Sequence, residues 1–420
     1  MEKDKEATSL KKNFFRLLLL TTAGATIYTL PYFRSYFYDA YMAMYSLTNV
    51  QMGSLGSAYG LLGLLSYLLG GVLADGVSAR KLLSLSLVLT GLGGFAHLMT
   101  RSYIVLLVIY GMWGITSLLT FWPALIKAIR MLASNDEQGR AFGIFEGVRG
   151  IVNAIVYPLG LAIFGLITKT ASDIAGLNGV IICYSSITLV CGIGVFFSIA
   201  DTEKVERKKF EMQNLIRIAK MPAVWLICFI LFMTYSFNMS FYYFTPYATQ
   251  VFGSSAVFAA AITMLAQYCR PVAAISAGFL GNKIGNAHVR LVSMALMALG
   301  TIAILLIPGH MSMMPLFITA CVVIYVAMYA NYGLVFAMLQ EGHVPMEVSG
   351  IAIGLVSTLG YLPEVLAPLV AGTLLDKYPG AQGYQYFFTI LTVCAVLGVI
   401  GIFVWKKKYY KKPVADQKAV

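Results

Sequence analysis

Charge is scarce in this sequence: only 11% of its 420 residues are Asp, Glu, Lys or Arg, while 59% are hydrophobic. A soluble globular domain carries about 25% charged residues, so that class is excluded. The six cysteines form no Cys-x-x-Cys pair and no Cys/His cluster, and we interpret them as small buried hydrophobic residues. There is also no nucleotide-binding loop, so we expect no cofactor, no metal and no use of ATP.

Long apolar runs fill the chain from end to end. Runs of roughly 20 residues recur, and each is long enough to cross a hydrocarbon core about 30 Å thick. A membrane barrel would alternate with a period of two, so helices are expected instead. We predict twelve spans, numbered 1 to 12 in chain order: about 14–38, 49–74, 81–100, 103–130, 140–168, 178–199, 222–252, 256–281, 289–308, 314–340, 348–374 and 384–405. A signal peptide cut near Ala25 is the other interpretation of the first run, but its apolar stretch continues beyond that residue.

The net charge of +12 is explained by where the basic residues lie. With both termini inside, most of the 30 Lys and Arg fall in segments that face the cytoplasm, including Lys283 and Arg290. The charge therefore reflects membrane topology, and we expect the lipid bilayer and no nucleic acid as a partner. We predict a monomeric, multi-pass protein of the inner (plasma) membrane, with cytoplasmic N- and C-termini.

The two halves of the chain resemble each other. "GVLADGVSARK" begins at Gly71 after span 2, and "GFLGNKIGNAHVR" begins at Gly278 after span 8, at an offset of 207 residues. "QGRAFG" and "SGIAIG" begin spans 5 and 11 at an offset of 211. Such repeats are typical of secondary transporters, which hold their substrate where the halves meet. We predict an N-terminal six-helix bundle at 1–199, a charged cytoplasmic linker at 200–221, and a C-terminal six-helix bundle with a short basic tail at 222–420.

The first of these loops resembles the signature of the major facilitator superfamily, through Gly71, Leu73, Asp75 and the pair Arg80–Lys81. The resemblance implies an all-α membrane protein with twelve transmembrane helices in two pseudo-symmetric six-helix bundles. It also implies a secondary active transporter that works by rocker-switch alternating access. Asp75 at the end of span 2 is placed to accept hydrogen bonds from helix amides and basic neighbours, so we assign Asp75 and Arg80 to gating.

Two further stretches are similar to the organophosphate:phosphate antiporters, of which this chain would be a divergent member. "FWPALIK" in span 4 resembles their Trp-Pro-Pro-x-x-Arg segment, with Lys127 at the basic position. "YTLPYFRSYFYDAY" in span 1 resembles their tyrosine-rich stretch, with Arg34 as its buried arginine. Span 7 departs from that family because it contains no arginine. The resemblance implies an anionic substrate.

Five of the ionisable residues in the predicted spans are assigned to the membrane interior, where each charge costs several kcal/mol, from about 3 to above 10. They are Arg34, Glu146, Arg149, Arg270 and Glu364. Glu146 and Arg149 are three residues apart on one helix face. Such residues are expected to face a cavity, because lipid offers no partner. Fixed structural ion pairs, such as Arg270 with Glu364, are the alternative, and Glu364 could instead carry a coupling proton.

The candidate residues form two groups. For substrate binding they are Arg34, Tyr38, Lys127, Arg149, Tyr32, Tyr242, Tyr243, Asn331 and Tyr361. For coupling or gating they are Glu146, Arg270, Glu364, Asp75 and Arg80. Arginine suits a carboxylate, phosphate or sulfonate, and tyrosines supply hydroxyl donors and flat faces. Membrane-interface anchoring is the alternative role of any single tyrosine.

We therefore expect transport of a small hydrophilic organic anion: an organophosphate, a sugar acid or a sulfonate. Protons or inorganic phosphate would be the coupling ion. The alternative is a proton-coupled symporter of a neutral or zwitterionic solute, such as a sugar or nucleoside. A transporter-like sensor would need a long soluble extension, and an enzyme would need a catalytic cluster; the sequence shows neither.

Overall fold

The computed structural model describes residues 11–132, 138–199, 212–335, 337–345 and 348–409. The regular elements in these ranges are all helical. Ten helices are long and apolar enough to cross a membrane, and the bent pair Phe14–Thr26 and Thr29–Tyr36 forms an eleventh span. Asn49–Gly76 has 28 residues and completes the set, being about 42 Å long at 1.5 Å per residue. The predicted twelve-helix fold is confirmed.

Five of the first six spans follow the predicted limits closely, and span 1 does not. Span 1 consists of Phe14–Thr26, Thr29–Tyr36 and Tyr38–Tyr45, and span 2 is Asn49–Gly76. Span 3 is Ala79–Met99, and span 4 joins Tyr103–Trp113, a π-helical segment Gly114–Phe121, and Trp122–Leu132. Spans 5 and 6 are Gln138–Ile167 and Asp173–Ser198. Span 1 extends to Tyr45, beyond its predicted end at residue 38. It also bends by 41° after its first helix, which a hydropathy pattern does not indicate.

The second six spans begin after a short helix, Met212–Ala219. Span 7 joins Pro222–Ser240, a 3-10 turn Phe241–Tyr243, and Phe244–Gln250. Spans 8 and 9 are Ala256–Ile284 and Asn286–Leu306. Span 10 joins a 3-10 turn Met311–Met313, Met314–Gly333 and Ala337–Glu341. Span 11 joins Ser349–Gly360 and Pro363–Lys377, and span 12 is Ala381–Lys408.

Local sequence sets several of these limits. Thr48 begins span 2 with a capping box, in which its hydroxyl accepts a hydrogen bond from the Gln51 amide and the Gln51 side chain accepts one from Thr48. Ser255 caps span 8 in the same position. Gly285 separates spans 8 and 9 at a φ of +93°, a conformation that glycine adopts without strain. Pro363 restarts span 11 because a proline is tolerated in the first turn of a helix and not in its middle.

Spans 1–6, here the N half, and spans 7–12, the C half, meet along two pairs of helices. Span 2 packs along span 11, and span 5 packs along span 8. Within the halves, span 3 packs on span 6 and span 9 packs on span 12. Large apolar side chains such as Leu92, Val108, Phe197, Phe279 and Phe403 are exposed on the outside, where lipid would cover them. We keep residues 199/200 and 221/222 as the proposed domain boundaries.

The bundle has two distinct ends. At the terminal end, the Asn13 side chain donates a hydrogen bond to the Leu132 carbonyl at 3.2 Å, and Trp405 donates one to Glu341 at 2.8 Å. At the opposite end, here called the sealed end, hydrogen bonds cross from one half to the other. Asp376 of span 11 accepts from span 2, and Asp39 of span 1 accepts from span 7. These hydrogen bonds join the halves directly at the sealed end.

Candidate functional site

A central cavity of about 650 Å³ lies between the halves. Spans 1, 4, 5, 7, 8, 10 and 11 line it, and its volume is within the range of small-molecule sites. It extends toward the terminal end, where Ala25, Ile126 and Ile353 are part of its wall. Its polar character comes mainly from eight tyrosines: Tyr28, Tyr32, Tyr157, Tyr235, Tyr242, Tyr329, Tyr332 and Tyr361.

Arg149 of span 5 lines this cavity and is paired with Glu146. Its Nη1 atom is 3.1 Å from Glu146 Oε1, one helical turn away. The Arg149 side chain is 12% exposed and the Glu146 side chain is 57% exposed, so the carboxylate is the more accessible partner. The guanidinium also lies 5.2 Å from the centre of the Trp122 ring, a cation–π contact. Another anion could therefore replace the Glu146 carboxylate while the Arg149 guanidinium stays over the Trp122 ring.

Arg270 of span 8 also lines the cavity, and no described carboxylate lies within 4 Å of its guanidinium. Its guanidinium carbon is 5.7 Å from the centre of the Tyr329 ring. Within the described ranges, the Arg270 side chain makes no hydrogen bond and no ion pair. The alternative pairing with Glu364 is not formed in this conformation, because the carboxylate is occupied elsewhere. A half-buried cation with no carboxylate within 4 Å among the described residues is a strong ligand signal in the cavity.

Glu364 of span 11 is only 5% exposed, and two tyrosine hydroxyls hold it. Tyr32 donates to Oε1 at 2.7 Å, and Tyr235 donates to Oε2 at 3.2 Å. Glu364 lies in the first turn of Pro363–Lys377, near the positive end of that helix's dipole, which favours a carboxylate. Tyr32 belongs to the N half, so this carboxylate joins the halves at the cavity wall.

Arg34 lies in a second, smaller pocket of about 20 Å³, here called the Arg34 pocket. It is 7% exposed and donates a hydrogen bond to the Met52 carbonyl at 3.2 Å, while its Nε atom has no partner. In the part of the chain that the structure describes, no carboxylate comes within 4 Å of its guanidinium. Tyr32, Tyr242 and Glu364 line both cavities and therefore stand between Arg34 and the central cavity.

The other predicted tyrosines lie at or behind this wall. Tyr242 stacks on Tyr32 with ring centres 5.6 Å apart. Tyr361 lines the central cavity and its hydroxyl is 2.9 Å from that of Tyr332. Tyr38 and Tyr243 line the Arg34 pocket, where Tyr38 donates to Asn49 at 2.8 Å and Tyr243 to the Pro368 carbonyl at 3.3 Å.

The remaining predicted residues lie outside the central cavity. Asn331 is fully buried, and its Oδ1 atom accepts from Arg290 Nε and Nη2 at 3.1 and 3.0 Å. Lys127 is half-buried and is not part of the cavity wall. Arg80 lies over the Phe196 ring of span 6, at 5.2 Å. The side chain of Asp75 lies outside the described residues.

Sequence reasoning missed three residues that the structure brings into polar clusters. Tyr235 holds Glu364, and Gln267 of span 8 donates to the Tyr36 hydroxyl at 2.9 Å across the halves. Gln267 precedes Arg270 by one helical turn, which was a signal for a shared polar face. Arg290 was assigned to the cytoplasmic surface, but it is 1% exposed. The positive-inside pattern marks the end of a span and does not show which way a long side chain turns.

Comparisons with known proteins agree with this architecture. Two relatives from Escherichia coli (strain K12) match 93% of this chain and 94% of their own length: the inner membrane protein YihN, 29% identical over 400 residues, and the inner membrane protein YqcE, 26% identical over 407 residues. Similar solved structures include a bacterial homologue of the human lysosomal transporter Spinster in an inward-facing and occupied conformation. It has a TM-score of 0.76 at 15% identity and covers 95% of this chain and 98% of that one. The nucleoside transporter NupG has a TM-score of 0.70 at 13% identity, covering 95% and 99%.

The family assignment comes from the sequence profile of the Major Facilitator Superfamily, which matches residues 14–368. That range covers spans 1 to 10 and most of span 11, well over half of the chain. The described helices cross a membrane many times, and the solved structures above share the fold. The chain therefore belongs to the Major Facilitator Superfamily and is a multi-pass membrane transporter.

Proposed function

We propose that this protein moves a small hydrophilic organic anion, such as an organophosphate, sugar acid or sulfonate, by rocker-switch alternating access. The observation that carries the proposal is the placement of two arginines, Arg149 and Arg270, on opposite halves of one cavity. Arg270 has no carboxylate within 4 Å among the described residues, and the carboxylate paired with Arg149 is 57% exposed. An anion bound between them would touch both halves at once.

The two guanidinium groups suit such a ligand chemically. Each presents a planar fork of donors that can bind a phosphate, sulfonate or carboxylate through two parallel hydrogen bonds. The tyrosine hydroxyls around them can bind the hydroxyls of a sugar-like body, and their rings offer flat apolar faces. A substrate that displaced Glu146 from Arg149 would leave a net positive site until its own charge filled it.

Arg34 is proposed to act later than these two residues. It lies behind Tyr32, Tyr242 and Glu364, so a ligand in the central cavity reaches it only after those side chains move. Tyr38 and Tyr243, which line the same pocket, would share that step. Asn331 and Lys127 stay outside this proposed binding set.

The orientation follows from the basic loops. The positive-inside pattern puts the terminal end in the cytoplasm, so the conformation described here would be inward-open. The names of YihN and YqcE support the inner membrane as the location. Asp75 and Arg80 are the proposed gate at the cytoplasmic end, and resemblance to the organophosphate:phosphate antiporters makes inorganic phosphate the proposed exchange partner. The protein is proposed to act as a monomer.

A second function is favoured by one specific observation, the buried Glu364 with only hydroxyl partners. Among the described residues, no basic side chain lies within 4 Å of the Glu364 carboxylate, so it can take up a proton without breaking an ion pair with any of them. This arrangement would suit proton-coupled symport of a neutral or zwitterionic solute such as a sugar or nucleoside.

The two functions are separated by binding and uptake. Purified protein is screened by thermal shift against organic phosphates, sulfonates, sugar acids, sugars and nucleosides, and hits are tested for uptake into proteoliposomes with and without a pH gradient. Anion transport predicts that Arg270→Gln weakens binding about tenfold or more, because hydrogen bonds to charged groups contribute roughly 1.5–3 kcal/mol. Arg101→Gln is the matched control, since Arg101 is exposed beside Tyr45 outside the cavity. Uptake of a neutral solute that stops when the pH gradient is removed, with no anion bound, would reject the first function in favour of the second.

A further inference from the structure

The beginning of span 2 is capped by a residue from the other half of the protein. Asp376, at the end of span 11, accepts hydrogen bonds from the Asn49 backbone amide at 2.9 Å and from the Asn49 side chain at 2.8 Å. Its second oxygen accepts from the Val50 amide at 2.8 Å. Asn49 and Val50 are the first two residues of the span 2 helix. The carboxylate therefore binds where a helix has free amides and a positive dipole end.

The helix cannot replace this cap from its own half. Thr48, its own N-cap residue, already accepts the Gln51 amide. The amides of Asn49 and Val50 are left to Asp376, which lies more than 300 positions away in the chain. When the two halves separate at this end, both amides lose their charged acceptor and must bind water instead.

A second carboxylate makes the reciprocal contact. Asp39 in span 1 accepts from the Thr249 hydroxyl at 2.5 Å and from the Gln250 side chain at 2.7 Å, both at the end of span 7. The side-chain oxygen of Gln250, Oε1, accepts a hydrogen bond from the Tyr384 hydroxyl at 2.8 Å. In this pair the acceptor belongs to the N half and the donors to the C half, the reverse of the Asp376 contact. Each half thus supplies one carboxylate.

Neither carboxylate forms an ion pair with a described residue. No Lys, Arg or His nitrogen lies within 4 Å of Asp39 or Asp376 among the residues with described positions. The partners are amides and a hydroxyl, so the contacts depend on hydrogen-bond geometry and on a helix dipole rather than on a pair of opposite charges. They should therefore be less sensitive to salt than an exposed ion pair.

We propose that Asp376 and Asp39 form a two-part latch that holds the sealed end closed, and that opening this side requires all five of these hydrogen bonds to break together. The inference rests on the alternating-access part of the proposed function and is independent of the substrate. Loss of either part of the latch shifts the unliganded protein toward the state that is open at the sealed end.

Amide hydrogen exchange tests the latch in the full-length protein without any substrate. Asp376→Ala should speed exchange about tenfold or more at residues 49–52, where the cap is lost. It should also speed exchange at 246–252, the Asp39 contact, and slow exchange at 141–150 and 351–357, which face the cavity at the terminal end. If Asp376 acts only as a local helix cap, the variant will change the amide exchange rate at 49–52 alone, and that result would overturn the proposal.

Matched variants complete the test. Thr249→Val removes one hydroxyl donor to Asp39 while keeping the side-chain shape, and it should speed exchange at 49–52 although it does not touch Asp376. Asp173→Ala is the control, because Asp173 is an exposed acid in the first turn of span 6 at the same end. Its effect should remain within the first turn of span 6. Unchanged exchange at 49–52 in Thr249→Val would overturn the coupling between the two contacts, whatever the transport assays show.

Discussion

The Tyr32 hydroxyl of span 1 donates a 2.7 Å hydrogen bond to the Glu364 carboxylate of span 11. The bond crosses between the halves, at the wall that separates the central cavity from the Arg34 pocket. A ligand that competes for the Tyr32 hydroxyl would break this link between the halves and leave Glu364 held, among the described residues, by Tyr235 alone. The contact that closes the wall would therefore respond to a ligand in the cavity.

The first prediction concerns this bond. Tyr32→Phe should lower the stability of the protein by about 1–3 kcal/mol, because a buried carboxylate loses one of its two donors. Glu364→Gln should cost less, since its neutral amide needs less hydrogen bonding. Melting temperatures of both single variants and the double variant in detergent form a double-mutant cycle. Strictly additive shifts would contradict a direct interaction between the two side chains.

The second prediction concerns Glu146. Its side chain is 57% exposed, so its pair with Arg149 should contribute less than about 1 kcal/mol to stability. Glu146→Gln should leave the melting temperature nearly unchanged and tighten anion binding a few-fold, because the competing carboxylate is gone. Titration calorimetry with the anion found by screening measures this effect. Arg149→Gln is the companion variant and should weaken binding; tighter binding in both would reject the exchange of partners.

The third prediction concerns the buried pair Arg290 and Asn331. Asn331→Leu removes the oxygen that accepts from Arg290 Nε and Nη2 and should destabilise the protein by about 3–5 kcal/mol. The double variant with Arg290→Met should recover most of that loss, because no buried charge is left without an acceptor. Asn331→Asp keeps the acceptor and is the matched control. Equal melting temperatures for Asn331→Leu and Asn331→Asp would contradict this structural role.

The fourth prediction compares two glycines. A Cβ atom built on Gly53 of span 2 would lie 2.2 Å from the Pro368 carbonyl oxygen of span 11, so Gly53→Ala must push the halves apart at the sealed end. A Cβ atom built on Gly147 of span 5 would have no neighbouring atom within 4 Å. Gly147→Ala should therefore be neutral or stabilise by up to about 1 kcal/mol. A lower melting temperature for Gly53→Ala alone is expected; equal values would contradict the close contact of spans 2 and 11.

The fold was predictable because the bilayer imposes a simple rule on sequence. Each span needs roughly 20 apolar residues, and each charged side chain inside a span needs a partner or a water-filled cavity. The twelve spans could be predicted from these constraints, and so could the expectation that Arg149, Arg270 and Glu364 face a cavity, whose wall includes all three. The repeated loop after spans 2 and 8 was enough to predict two similar halves.

The sequence could not predict which side chains line which cavity, because that depends on the rotation of each helix about its axis and on where each helix bends. The sequence assigned Arg34 to substrate binding and Arg270 to coupling or gating, with a structural ion pair as the alternative. Only the packing of span 11 against spans 1 and 7 places Glu364 and Tyr32 in front of Arg34 and leaves Arg270 facing the cavity. Asn331 was a polar residue in an apolar run, and its partner Arg290 was hidden by an apparently cytoplasmic position.

Irregular backbone is concentrated in the helices that surround the cavity. Spans 1, 4, 7, 10 and 11 are each divided by a bend, a π-helical segment, a 3-10 turn or a short break, whereas spans 3, 6, 9 and 12 are single unbroken helices that contribute nothing to the cavity wall. Deformation during a transport cycle would therefore be confined to the inner ring of the molecule. The outer helices can keep the same lipid-facing surface throughout the cycle. The lipids around the protein then need not rearrange each time a solute is transported.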